Sequence, residues 1–210
     1  MTTIRGLQRT GGPPARTGRS KPSDAPKPSD GERRLERGFF ERGSVELAPL
    51  LLNKVLVAGP CAGRIVEVEA YRSDDPASHS YRGRTARNSV MFGPAGHLYV
   101  YFTYGMHFCA NVVAATEGDA QAVLLRAVTP TRGIELMRER RRGRADRILA
   151  DGPGKLCQAF GIDRSNDGVD LCADDHLSVV DDGVAPPTEP RVTTRIGIRV
   201  ATEQPWRWLA

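Results

Sequence analysis

The fold is decided by the stretch Arg64-Ile65-Val66-Glu67-Val68-Glu69-Ala70-Tyr71. Side chains of a β-strand point alternately to its two faces, so the alternation in this stretch predicts a strand. One face would be apolar and pack in the core, and the other would carry two carboxylates and a phenol. Such a polar face suits a reaction site, although an ordinary solvated strand face is the simpler interpretation of these eight residues alone. The predicted core face holds Val66, Val68 and Ala70, and the predicted polar face holds Glu67, Glu69 and Tyr71.

A β-hairpin is predicted further along the chain, where two β-rich segments flank Tyr104-Gly105. Glycine readily adopts the left-handed conformation that tight turns need, so this dipeptide would form the turn. Tyr104 would then lie at the hairpin tip, where a large aromatic side chain has no core to fill. It would contact a partner or act as a wedge in a base stack, and the alternative is packing in the core beside Phe102. Tyr99 and Tyr101 would share one face of the first strand.

Residues 120–128 predict a further strand, which holds Arg126 within an otherwise apolar run. A buried cation is costly unless it is paired. Glu67 or Glu69 is the candidate partner, which would place the two strands side by side.

Shorter patterns predict the remaining elements. Helix starts are indicated by capping residues and by a Gly-Pro-Gly segment, and a final strand by alternation. These elements are a helix from Ser44 to Asn53, a helix capped by Thr131 that runs to Arg142, a helix from residues 151–155 to Phe160, and a strand at residues 192–200.

A long polar segment at residues 73–96 separates the predicted strands. Loops of this length inside a compact domain are usually functional or disordered. The segment holds His79 among Arg82, Arg84 and Arg87. Arginines interleaved with Gly, Ser and Tyr are typical of a loop that follows phosphates, and an ordinary solvated loop is the alternative.

Charge is concentrated at the N-terminus of the 210-residue chain. Residues 1–30 hold six basic and two acidic side chains, a net charge of +4, against +1 for the remainder. They are rich in Pro, Gly, Ser and Thr, so they are predicted to form a disordered basic tail before a domain at residues 31–210. The tail could tether nucleic acid or be inert, and a polyanion would otherwise need a local patch.

Cysteine usage and hydropathy indicate a cytoplasmic protein. The N-terminus has no apolar run typical of a signal peptide, and polar residues and prolines interrupt the richest apolar stretch, so no membrane span is expected. The four cysteines are widely spread without a CxxC pair. This pattern favours reduced thiols over disulfides or a metal site.

Together these segments resemble the alkyladenine (3-methyladenine) DNA glycosylase family from about Leu47 to Trp208. Any one motif is weak, but their joint presence in this order is specific, and the tail lies outside the resemblance. The motifs are residues 64–71, His79-Ser80-Tyr81-Arg82-Gly83-Arg84-Thr85, Arg87-Asn88 with Met91-Phe92, Leu98-Tyr99-Val100-Tyr101, Tyr104-Gly105-Met106 with Asn111, Leu124-Leu125-Arg126, and Gly152-Pro153-Gly154-Lys155-Leu156-Cys157-Gln158.

The resemblance implies an α+β fold: a single domain with a curved, open barrel-like antiparallel sheet, surrounding helices and a DNA-inserting β-hairpin. It implies a monofunctional glycosylase of base excision repair that flips alkylated or deaminated purines out of double-stranded DNA and hydrolyses the N-glycosidic bond. We expect a monomer associated with the nucleoid, without cofactor or metal and without membrane contact. No lysine falls at a nucleophile position of these motifs, which agrees with hydrolysis rather than a Schiff base.

The resemblance also implies a role for individual residues. A flipped base needs flat walls for stacking, a wedge to fill the gap in the duplex, and a base that activates water. By position, the resemblance makes Glu69 the general base, with Arg126 holding it and the water. It makes Tyr71, His79 and Tyr101 the stacking residues and Tyr104 the wedge. It also assigns Asn111 to discrimination against the exocyclic amino group of guanine. Arg82, Arg84 and Arg87 are candidates for contacts to the DNA backbone.

Two other functions remain open on the sequence alone. One is a catalytically silent protein that binds damaged DNA on the same scaffold, against which the intact Glu69 argues. The other is an RNA-binding module built on the basic tail, which the Tyr and Arg content would suit but which leaves the carboxylate face unexplained.

Overall fold

The computed structural model describes residues 31–103 and 105–210. The predicted disordered tail at residues 1–30 and the predicted wedge Tyr104 both lie outside the described residues. Short 3-10 turns occur at Ser89–Phe92, Asp146–Ile148 and Arg164–Asn166. The strands and α-helices are β1 (Arg33–Arg34), α1 (Arg37–Phe40), α2 (Ser44–Leu51), β2 (Val55–Ala58), β3 (Cys61–Tyr71), β4 (Leu98–Thr103), β5 (His107–Ala114), β6 (Gln121–Arg132), α3 (Ile134–Arg140), α4 (Pro153–Phe160), β7 (Leu177–Asp181), β8 (Arg191–Thr193) and β9 (Arg207–Leu209).

Within the described residues, nine strands form one curved antiparallel sheet. The strand order is β1-β7-β2-β3-β6-β5-β4, and β9 pairs with both β3 and β8. The long strand β3 is central, because β2 borders its first half, β9 borders its second half, and β6 runs along its other edge. The predicted α+β class and single domain with a curved antiparallel sheet are confirmed.

The predicted strand at residues 64–71 lies within β3, but its ladder is interrupted. The register of β3 against β6 shifts near the middle, where Val66 on β3 and Arg126 on β6 are passed over. A bulge breaks the alternation of side chains. The prediction that Val66 faces the core is therefore wrong: Val66 is only half-buried, and Ile65 packs in the core with Val68 and Ala70.

The helices cover the apolar face of the sheet. α2 packs on β3 and β6, while α4 packs on β5, β6 and α3. Their buried side chains include Leu47 and Leu51 of α2 and Leu156 and Phe160 of α4. Among residues 31–103 and 105–210, none of the helices has the length and hydropathy that a membrane span requires. One face of the sheet is thus buried under helices, and the other is left for a site.

The predicted hairpin is confirmed by the pairing of β4 with β5, which runs from Leu98 opposite Val112 to Thr103 opposite His107. Gly105 has φ +65°, the left-handed conformation expected of the turn. The helix predicted to begin within residues 151–155 is α4, with Pro153 in its first turn.

Three predicted element boundaries are wrong. Ser44 begins α2 but does not cap it, because its hydroxyl donates to Gln121 Oε1 at 3.0 Å. The helix assigned to Thr131 begins only after Gly133, since Thr131 still lies within β6. The strand predicted at residues 192–200 ends at Thr193, and the chain beyond it forms a loop that returns at β9.

Gly133 lies between β6 and α3, and substituting it tests whether the backbone at this junction requires glycine. Its φ is +71°, and a Cβ built on it would lie 2.7 Å from the carbonyl oxygen of Pro60. We expect Gly133→Ala to lower the free energy of unfolding by about 1–3 kcal/mol, because strain and overpacking add. The matched control is Gly38→Ala in α1, where no atom lies within 4 Å of the added Cβ. This control should be neutral or stabilising by up to about 1 kcal/mol. Equal urea midpoints for the two variants would contradict this account.

Candidate active site

The polar face of the sheet lines a cavity of about 620 Å³. Its floor comes from alternate residues of four neighbouring strands, because side chains of one face recur at every second position. Its walls are residues 76–79, the N-terminus of α4 at Gly152–Lys155, and the loop at residues 196–200. Floor side chains include Tyr71 on β3, Tyr99 and Tyr101 on β4, Cys109 and Asn111 on β5, and Leu124 and Arg126 on β6.

Glu69 lies fully buried just beneath this cavity. Its Oε2 accepts a hydrogen bond from the Tyr71 hydroxyl at 2.9 Å. Its Oε1 accepts from the backbone N–H of Ile196 at 2.7 Å and lies 3.2 Å from Nη1 of Arg126. All three donors line the cavity. A carboxylate has about four lone-pair sites, so one remains for a further donor.

Arg126 joins the two carboxylates of β3. Its Nε donates to Glu67 Oε1 at 2.7 Å, while its Nη1 faces Glu69. Burial alone would lower the pKa of Arg126, but Glu69 and Glu67 outweigh burial and raise it. Glu67 Oε1 also accepts from Arg207 Nε at 2.7 Å. The prediction that Arg126 is paired with a β3 carboxylate is confirmed, and both carboxylates take part.

Three aromatic rings meet at one side of the cavity, where Tyr99 and Tyr101 of the floor adjoin His79, and together they form its aromatic wall. The rings of His79 and Tyr101 are 4.4 Å apart between centroids, and Tyr101 lies 5.6 Å from Tyr99. His79 Nδ1 lies 2.9 Å from the Tyr99 hydroxyl. Burial lowers the pKa of His79, with Arg87 adding to the effect, and burial raises the pKa of Tyr99 to about 12. The wall is therefore uncharged at neutral pH.

Asn111 lies buried in the cavity floor. Its Nδ2 donates to the backbone carbonyl of Tyr99 at 3.1 Å, which fixes the side-chain amide against β4. On the other edge of its strand Asn111 pairs with Leu124, another residue of the cavity floor. Asn111 is thus held rigidly where a ring in the cavity would meet it.

The three arginines of the 73–96 segment have different positions. Arg87 lines the cavity, donates to the Phe102 carbonyl at 3.3 Å and lies 5.9 Å from the Tyr101 ring centroid. Arg82 and Arg84 are exposed outside the cavity. Within residues 31–103 and 105–210, neither of these two makes a hydrogen bond or ion pair. The structure therefore brings Arg87, but not Arg82 or Arg84, to the site.

Sequence reasoning missed the loop after β8. Ile196 donates to Glu69, and its neighbour Arg195 forms a buried ion pair with Asp75. The apolar-polar alternation of residues 192–200 indicated a strand and hid this role. The sequence held no signal that sets Arg195 apart, since Arg199 lies in the same alternating stretch and is exposed.

The side chains that could bind a metal ion are not clustered in the described part of the chain. Across the part of the chain that the structure describes, no three His, Cys, Asp or Glu residues are grouped to hold a metal ion. The cysteines are separate thiols, of which Cys61, Cys109 and Cys157 are buried.

A buried carboxylate with a cationic partner beneath an aromatic cavity is an arrangement typical of enzyme active sites. The chain belongs to the methylpurine-DNA glycosylase family, whose model matches residues 38–210. The match includes every strand and helix that contributes to the cavity.

Three relatives show how far this similarity extends. A protein of Burkholderia lata is 54% identical over 178 residues, which cover 83% of this chain and 86% of the relative. A protein of Burkholderia cenocepacia is 55% identical with the same coverage. One of Carboxydothermus hydrogenoformans is 46% identical and covers 83% of this chain and 93% of its own length. All three are named "Putative 3-methyladenine DNA glycosylase".

Acidification should destabilise the fold through His79. Although His79 is exposed on the surface, partial burial against the cavity, with Arg87 adding to the effect, holds its pKa below the usual value. Between that lowered pKa and about pH 6.5 the unfolded chain therefore binds more protons than the folded chain. Stability decreases as the pH is lowered wherever the unfolded state binds more protons than the folded state. Because His79→Gln removes this titration, its free energy of unfolding should decline less steeply than that of the wild type between about pH 7 and pH 5. Urea unfolding at several pH values tests this, and identical slopes would contradict it.

Proposed function

We propose that this protein is a monofunctional DNA glycosylase of base excision repair. It flips an alkylated or deaminated purine nucleotide out of double-stranded DNA and hydrolyses the N-glycosidic bond. One observation carries the proposal: in a member of the methylpurine-DNA glycosylase family, Glu69 is fixed by three donors directly beneath an aromatic cavity. Residues 31–210 are the glycosylase domain, and residues 1–30 are a basic tail.

The cavity suits a flipped purine in size and in chemistry. A base needs flat apolar walls, which Tyr71, His79 and Tyr101 provide. An uncharged His79 stacks without repelling a positively charged alkylated base. The fixed amide of Asn111 discriminates against the exocyclic amino group of guanine, because a rigid side chain cannot move aside for it. The enzyme thereby excludes undamaged guanine.

Glu69 is the general base in this proposal. Three of its about four lone-pair sites are occupied, and a water molecule that enters with the nucleotide takes the remaining one. Arg126 holds Glu69 and the water, and Glu67 holds Arg126 in turn. The water oxygen bonds to C1′ of the sugar while the bond from C1′ to the base nitrogen breaks. The electron pair of that bond leaves with the base, where it neutralises the positive charge of an alkylated purine, and the proton of the water passes to Glu69. Among the described residues, the one lysine at the cavity, Lys155, has its amine ion-paired with Asp151 at 2.9 Å, so in this proposal no Schiff base and no strand cleavage follow.

The partner is duplex DNA, which a monomer contacts with the rim of the cavity. Beside the β4–β5 turn, Met106 and Phe102 expose 70% and 47% of their surface, as a partner-contacting tip would. Tyr104, between these strands in sequence, is the intercalating wedge. Arg82, Arg84 and Arg87 contact phosphates, with Arg87 nearest the flipped nucleotide. The protein acts in the cytoplasm on the nucleoid and needs neither metal nor cofactor.

The alternative is a catalytically silent protein that binds damaged DNA with the same cavity. A binding protein has no need of a carboxylate buried beneath its pocket, and burying one is costly. Single-turnover base release from duplex oligonucleotides that hold alkylated, deaminated or etheno-adducted purines separates the two functions. Binding without base release would establish the silent protein.

Glu69→Gln should abolish most activity and preserve binding. Glutamine keeps the shape of the side chain but cannot accept the proton of water, so single-turnover base release should fall by roughly two or more orders of magnitude. The dissociation constant for lesion-containing duplex, measured by anisotropy, should change little.

Glu67→Gln is the matched control for the assignment. Glu67 lies on the same face of β3 as Glu69, but its carboxylate is bound by two arginines, Arg126 and Arg207. We expect a smaller loss of base release than for Glu69→Gln. Near-normal release by Glu69→Gln, or a larger loss in Glu67→Gln, would reject Glu69 as the general base.

Tyr104→Ala should impair flipping rather than folding. Unstacking a base costs a few kcal/mol, and the wedge offsets this cost. Base release should therefore suffer more for a lesion in a stable base pair than for the same lesion in a mismatch, where the base is already loose. A fluorescent base analogue at the lesion reports the flipped population. A core role would instead cost about 3 kcal/mol or more of stability, so a large fall in melting temperature with normal flipping would exclude the wedge.

A further inference from the structure

We propose that Arg195 is a positioning residue that holds both Glu69 and the two walls of the base pocket in their working geometry. This inference rests on the proposed function, because the pocket it concerns is the one assigned to the flipped base. Arg195 lies in the loop after β8 and does not itself line the cavity. It acts through the groups on either side of it.

Arg195 and Asp75 form an ion pair whose two side chains are fully buried. The guanidinium bonds both carboxylate oxygens of Asp75, with Nη2 donating to Oδ1 at 3.1 Å and Nη1 donating to Oδ2. It also donates to the carbonyl of Ala70 at 3.0 Å and to that of Ala201 at 3.2 Å. One side chain thus joins the end of β3, the segment after it and both ends of the cavity loop.

Two of these links lead to the carboxylate of Glu69. The residue next to Arg195 is Ile196, whose N–H donates to Glu69 Oε1 at 2.7 Å. The guanidinium carbon also lies 4.7 Å from the ring centroid of Tyr71, whose hydroxyl donates to Glu69 Oε2. Moving Arg195 would therefore disturb two of the three donors that orient the proposed general base.

A third link leads to the cavity wall at residues 76–79. Asp75 Oδ1 accepts from the N–H of Ala77 at 3.0 Å, and the Asp75 carbonyl accepts from the N–H of Ser78 at 2.8 Å. This turn ends at His79, a ring of the aromatic wall. The ion pair therefore sets the distance between the 196–200 loop and the wall that faces the base.

Stability alone does not explain the buried ion pair between Arg195 and Asp75. A buried ion pair is often no more stabilising than apolar side chains of the same volume. Among the described residues, Nε of Arg195 is the one buried side-chain polar atom without a hydrogen-bond partner, which adds to the cost. Geometry is what this arrangement provides: a planar guanidinium fixes four acceptors and stacks between the rings of Tyr71 and Trp206.

The test compares Arg195→Lys and Asp75→Asn with Arg64→Lys. Lysine keeps the charge but cannot hold two carboxylate oxygens and two carbonyls or stack between two rings, and asparagine keeps the size of Asp75 without its charge. Arg64 is the matched control, because it also holds an aspartate, Asp182, and a backbone carbonyl, that of Asn53, but lies away from the cavity. Single-turnover base release is measured against enzyme concentration, below the melting temperature of each variant.

For Arg195→Lys and Asp75→Asn we expect the maximal rate of base release to fall about 10- to 100-fold, because a small misplacement of reacting groups has this effect. The enzyme concentration for half-maximal rate should change by less than about threefold, since Arg195 has no contact with the DNA backbone in this proposal. Arg64→Lys should keep the wild-type rate. A purely structural role would lower the melting temperature of all three variants and leave their maximal rates unchanged.

The outcomes separate this inference from the proposed function. Wild-type protein that releases no damaged base refutes the glycosylase proposal and this inference with it. Active wild type with undiminished maximal rates in both site variants refutes the positioning role alone. If neither variant folds while Arg64→Lys does, the pair is required for the fold, and the positioning role is likewise rejected.

Discussion

The site depends on the ion pair between Arg126 and the two carboxylates of β3. Glu69 is fully buried, and a buried carboxylate without a cationic partner would be strongly destabilising. Arg126 supplies this partner at 3.2 Å, but as a buried cation it needs anions of its own. Glu67 provides one at 2.7 Å and is shared with Arg207. Two carboxylates and two guanidiniums thus form a group without net charge, and removing either partner of a buried pair costs about 3–5 kcal/mol.

Within this group of four charges, Glu67 and Glu69 have the same chemistry but different partners. The strong contacts of Glu67 are both to arginines, so its role is to fix the cations. Glu69 has one arginine and two uncharged donors, the Tyr71 hydroxyl and the Ile196 N–H, and it lies under the cavity. Bulges re-aim side chains, and the register shift at Arg126 falls where its side chain must reach two residues of one neighbouring strand. An irregularity in the central ladder therefore serves the site.

Local patterns predicted much of this arrangement. Alternation placed Glu67, Glu69 and Tyr71 on one face, and the rule that buried cations are paired connected Arg126 to it. The first inference depends only on residues that are near one another in sequence. The second depends only on the high cost of burying an unpaired charge. The predictions failed where the deciding partner is remote. The core position of Val66 was lost to a pairing irregularity with β6, and the start of α3 was set by the left-handed backbone of Gly133 against Pro60.

The loop after β8 shows why such failures gather at the site. Its sequence alternates as a strand does, and in a strand its backbone groups would bond to a neighbouring strand. Instead the Ile196 N–H is committed to Glu69, and the Arg195 side chain to Asp75, which is 120 positions away. These tertiary bonds replace ladder bonds, so local propensity is overridden where the pocket is built. A segment whose pattern favours one conformation while its buried polar groups hold it in another is therefore a candidate for function, and here it forms the wall of the cavity above the buried carboxylate.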